Sequence, residues 1–133
     1  MPMLPITSFY SAILAIFILK LAYNVIKVRQ AEKQGLGYDQ KNLLLAGRIH
    51  ANAIEYVPIA LILLALTELN GVPSFIIHII GLTLVIARVI HAKGFSIAKG
   101  EAHPGRYWGT VLTWLVITSL AILNLVYSWR YLL

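Results

Sequence analysis

Residues 43–69 read LLLAGRIHANAIEYVPIALILLALTEL, and the fold turns on this stretch. As a helix it would be about 40 Å long at ~1.5 Å per residue, enough to cross a hydrocarbon core of roughly 30 Å. It lacks the strict alternation of a barrel strand. Inside a bilayer a lone segment must close its backbone hydrogen bonds within itself, so the stretch reads as a helix. Three stretches of the same kind flank it, at about residues 6–26, 72–95 and 106–129. The expected fold is an all-α membrane protein, a four-transmembrane-helix bundle forming one domain over residues 1–133.

The composition agrees. Of 133 residues, 59% are hydrophobic and 12% charged, with a mean hydropathy of +0.80, whereas a soluble domain carries about 25% charge. With no cysteine in the sequence, a disulfide framework, a zinc–cysteine site and a cysteine nucleophile are excluded. The first apolar run has no charged segment before it and no small-residue cleavage site after it, so it reads as a retained span, not a signal peptide.

The net charge of +6 is distributed in bands. Five of the 11 Lys and Arg fall in residues 27–48, none in 49–87 and four in 88–106. Bands of this kind mark loops rather than one basic face, so no nucleic-acid partner is expected. The second connection, Asn70-Gly71-Val72-Pro73, is a tight turn without basic residues. The positive-inside rule then puts loops 1 and 3 in the cytoplasm and both termini opposite. Phe9, Tyr10, Tyr127, Trp129 and Tyr131 suit an aromatic belt on that far side.

Ionisable groups inside spans are expensive and therefore candidates for function. Arg48, Asn52 and Glu55 are spaced i, i+4, i+7, along one helix face over about 10 Å. Asn52 could hydrogen-bond to either charge, and the same ladder could simply lock two helices together. Tyr56 follows, and Pro58 frees a carbonyl one turn back. On the third span Arg88 and His91 share a face with Phe95, near the end where Arg and Lys93 could instead snorkel to the headgroups. His50 faces away from Arg48. Arg106 opens the fourth span, where a cation opposes the helix dipole and suggests an anionic partner. Lys20, Tyr23, Asn24 and Lys27 form a stripe on the first span. His78 and His103 stand alone, and no metal site is expected. Lys27, Arg48, Arg88 and Arg106, with Asn52, Glu55, Tyr56 and His91, suit a small zwitterion of net negative charge beside a lipid-soluble second substrate.

The pattern RxxxNxxEYxP at residues 48–58 resembles the signature of the MAPEG family, the membrane-associated proteins in eicosanoid and glutathione metabolism. RIHANAIEYVPIALILL and ARVIHAKGF look most like its uncharacterised bacterial inner-membrane branch. The resemblance implies a homotrimer in the lipid bilayer with glutathione bound between subunits. Arg48, Asn52, Glu55, Tyr56, Arg88, His91 and Lys27 match binding positions, and Arg106 matches the arginine that activates the thiol. His91 and Phe95 stand where some members have tyrosines, and Tyr107 where some have a serine. The implied activity is transferase- or peroxidase-type conjugation of a lipophilic small molecule. A non-catalytic trimeric lipid-binding or scaffolding protein is the alternative. A small multidrug exporter is the third reading, although its membrane glutamate belongs on the first helix and Glu55 is on the second.

Overall fold

The computed structural model describes residues 3–129 and Leu132. Arg130 and Tyr131, included above among the charges and aromatics, lie outside the described residues. Four helices follow one another: α1 (Pro5–Ala31), α2 (Lys41–Leu69), α3 (Ser74–Ile97) and α4 (Pro104–Trp129). Each is long and apolar enough to cross a membrane.

The helices outrun or trim the apolar runs for local reasons. α1 continues past Ile26 to Ala31 because Lys27, Val28, Arg29 and Gln30 are compatible with helix even where they leave the hydrocarbon. α3 starts at Ser74, not at residue 72, because Pro73 supplies the extended residue that precedes its first turn. α4 starts earlier than residue 106. Pro104 suits its first turn, and the Nδ1 of His103 accepts the Gly105 amide at 3.0 Å, so this histidine caps the helix.

α3 packs most extensively on α4 and α1 on α2, α2 also lies against α4 and α3, and α1 and α4 are not neighbours. Leu14, Leu64, Ile77, Leu84 and Leu120 fill the centre of the bundle, with Ala46, Ala53, Ala60, Ala87 and Ala92 buried among the helices. Ile16, Leu19, Ile62, Phe75, Ile79 and Leu125 are exposed, as is expected where lipid tails are as apolar as the interior. Small residues let the helices come closest. A Cβ on Gly109 would lie 2.5 Å from the Cβ of His91 and 2.7 Å from the Ala87 carbonyl oxygen. On Gly94 it would lie 2.5 Å from the Arg106 nitrogen. The loop-3 end of α3 and α4 is thus fixed to backbone contact.

At the loop-2 end the glue is polar. Both oxygens of Glu68 on α2 accept amides that open α1, Ile6 at 3.0 Å and Thr7 at 2.8 Å. Orphan donors of a helix N-terminus are satisfied there by a carboxylate that also suits its dipole. Asn124 on α4 donates to the Leu63 carbonyl at 3.0 Å and the Thr67 hydroxyl at 2.8 Å, and accepts from Asn70 at 3.0 Å. The Tyr10 hydroxyl of α1 donates to the His78 carbonyl of α3 at 3.1 Å.

Candidate functional site

The candidate residues gather at the loop-1 and loop-3 end, divided between the inside and the outside of the bundle. Arg88 is 1% exposed. Its guanidinium donates to Asn52 Oδ1 on α2, to Thr113 Oγ1 on α4 at 3.2 Å, and to His91 Nδ1 one turn along α3 at 3.2 Å. The Tyr56 ring lies 5.8 Å away from its carbon centre. Arg88 therefore does not snorkel to the surface; it ties α2, α3 and α4 together through neutral acceptors. His91, accepting at Nδ1, holds its proton on Nε2. His91 also meets the Phe95 ring edge-on at 5.8 Å.

Asn52 does not bridge Arg48 and Glu55, because its carbonyl oxygen is committed to Arg88. Arg48 and Glu55 are both exposed, and neither has a hydrogen-bond or ion-pair partner among the described residues. The i, i+4, i+7 ladder thus faces two ways, with the amide turned inward and the flanking charges left outside. Arg48 lines a cleft of about 320 Å³ with Lys41, Leu44, Phe95, Lys99 and Glu101. His50 is half-buried.

Arg106 resolves its conflict with the α4 dipole by reaching back to α3. Its guanidinium donates to the Gly100 carbonyl at 2.9 Å and stacks over the Phe95 ring at 4.0 Å. Gly100 lies just past the end of α3, where carbonyls favour a cation. The turn that presents it has Lys99 in the left-handed region at φ 48° and is closed by the Gly100 amide on the Phe95 carbonyl at 3.2 Å. Arg106 also lines a second cleft, of about 350 Å³, with Tyr107, Thr110 and Trp114. The Arg106–Phe95 stack stands between the two clefts.

Lys27 is exposed on α1 and lines none of these clefts. Loop 1 is nonetheless ordered beside Arg48. Arg29 donates to the Gln34 carbonyl at 3.1 Å and lies 5.2 Å from the Tyr38 ring, which sits on Gly47, one residue before Arg48. Thr113, Tyr38 and Gly100 were not among the sequence candidates. No group of His, Asp or Glu among the described residues could hold a metal ion.

Seen together, Asn52, Tyr56, Arg88 and His91 form an internal cluster, with Arg48 and Glu55 exposed outside it and Arg106 half-buried against the end of α3. The two outer cations and one acid can engage an anion with a basic group, but a single chain does not enclose them.

Residues 7–126 match the MAPEG family. The chain is 30% identical over 123 residues to the inner membrane protein YecN of Escherichia coli K12, covering 92% of each chain. It has the same identity and coverage with YecN of Escherichia coli O6:H1. Extent and identity agree with the four-helix architecture: this chain belongs to the MAPEG family.

Proposed function

We propose that the chain is a membrane-bound glutathione-binding protein that conjugates glutathione to lipophilic electrophiles. In this reading it works as a homotrimer in a bacterial inner membrane, with loops 1 and 3 cytoplasmic. Family membership supports a glutathione-related membrane role, and the relative's inner-membrane name supports the location.

One observation carries the proposal: Arg48 and Glu55 leave an unpaired cation and an unpaired anion on the outer face of a membrane helix. Ionisable groups on a membrane helix are costly without partners. Glutathione offers carboxylates for Arg48 and an ammonium for Glu55, and guanidinium–carboxylate pairing is strong and directional. Because these side chains point away from their own bundle, a neighbouring copy supplies the other wall of the site, and Lys27 contributes from α1.

A free thiol titrates near pH ~8.5, and a nearby guanidinium favours the thiolate. Arg106 supplies that charge. The thiol proton passes to water; with a chlorinated nitrobenzene the sulfur then forms a carbon–sulfur bond as chloride leaves with its bonding pair. Arg106→Ala is expected to lower conjugation by about a hundredfold while glutathione affinity changes little. Turnover assays and calorimetric titration of the detergent-purified protein test this, and unchanged turnover in the variant would refute the assigned role.

A second reading is favoured by the engagement of Arg106 with Gly100 and Phe95 within its own chain. A guanidinium so held can serve structure alone, leaving a glutathione-binding scaffold without chemistry. Wild-type protein that binds glutathione but conjugates no electrophile selects it. Family membership favours both of these over the exporter.

A further inference from the structure

Two lysines within the membrane helices lie outside the candidate site. Lys20 on α1 and Lys93 on α3 are both exposed, and neither has a hydrogen-bond or ion-pair partner among the described residues. They come from different helices yet line one cleft of about 470 Å³ between α1 and α3, together with Asn24 and Ser96. No acidic residue lines it.

The cleft has a polar end and an apolar end. α1 runs toward loop 1 and α3 toward loop 3, so Phe17 lies about one turn deeper than Lys20, and Val89 about one turn deeper than Lys93. Asn24 and Ser96 lie on the opposite, shallower side of the two lysines. Neighbouring Leu21 and Ala92 pack in the same cluster as Phe95, which fixes this cleft at the level of the loop-3 end. Two lysines lining one cleft without a carboxylate call for an anion, and the apolar residues at its deeper end call for hydrocarbon. Basic pockets between membrane helices are suited to anionic lipid headgroups.

We propose that this cleft binds an anionic phospholipid, its phosphate between Lys20 and Lys93 and an acyl chain over Phe17 and Val89. The site is separate from Arg48, Glu55 and Arg106 and does not depend on glutathione binding. Independent snorkelling of two lysines would give only a weak, additive attraction to anionic lipid, whereas a built site gives a preference that depends on both lysines together.

The test is native mass spectrometry of the full chain in detergent, incubated with phosphatidylglycerol or with phosphatidylcholine of the same chain length. The wild type is expected to retain phosphatidylglycerol about tenfold better. Lys20→Gln with Lys93→Gln should abolish that preference, and Lys20→Arg with Lys93→Arg should keep it. Inorganic phosphate at the same concentration should not displace the lipid. Equal retention of the two lipids by the wild type overturns the proposal, so it stands or falls even if the glutamine variant does not fold. A preference that survives in the folded glutamine variant, or displacement by inorganic phosphate, overturns it equally.

Discussion

Arg88 is the residue on which the inner half of the candidate site depends. Its charge is held by an amide, a hydroxyl and an imidazole from three helices, without a carboxylate. Removing it would leave buried acceptors unpaired and a cavity at the meeting point of α2, α3 and α4. Arg88→Ala is therefore expected to lower stability by about 2–4 kcal/mol, read from thermal unfolding in detergent. Arg88→Lys should not restore it, because one ammonium cannot reproduce the forked geometry that reaches Asn52 and Thr113 together. Full stability in the lysine variant would show that charge alone suffices. The sequence places Arg88 near the end of a span, and both snorkelling and burial fit that position. What decides between them is the Thr113 hydroxyl and the Asn52 amide from two other helices, and no local pattern in α3 reports on those.

At the scale of elements, the α3–α4 pair is the most closely joined, with Gly94 and Gly109 admitting the other helix's backbone. Gly109→Ala should destabilise the fold by about 1–3 kcal/mol, since its Cβ would meet His91 and the Ala87 carbonyl. Gly35→Ala is the internal control. With nothing within 4 Å of its Cβ, it should shift stability by no more than about 0.5 kcal/mol. Equal effects from the two substitutions, measured by the same unfolding assay, would contradict the packing described here. The four helices themselves are legible from hydropathy, because apolar length alone identifies a segment that can cross a membrane. Their ends are less so: hydropathy sees where apolar character stops, whereas α1 stays helical for another five residues to Ala31. The polar locks of the loop-2 end are hidden for a related reason. Glu68 finds backbone amides 61 and 62 residues away, and backbone donors leave no signature in side-chain spacing.

The whole molecule is a bundle with polar ties at both ends and charges displayed at one of them. Basic bands predict that loops 1 and 3 share the cytoplasmic side. The cysteine-free sequence makes this directly measurable. Gly35→Cys in loop 1 should react with a membrane-impermeant thiol reagent only from the cytoplasm, and Ser74→Cys at the start of α3 only from the other side. Labelling of both from one side would overturn the topology.

The site is partly legible for a physical reason. Helical spacing puts Arg48, Asn52 and Glu55 along one side of α2, but it does not say that Asn52 turns inward to Arg88 while the two charges remain outside. That division depends on where neighbouring helices lie. It also supports the central proposal, that the outward pair of Arg48 and Glu55 is a receptor for glutathione. The most direct measurement is calorimetric titration of glutathione into the wild type, Arg48→Ala and Glu55→Gln in nanodiscs. The account predicts saturable binding to the wild type and a loss of about tenfold or more in each folded variant. Absence of binding to the wild type, or unchanged affinity in both variants, would contradict it.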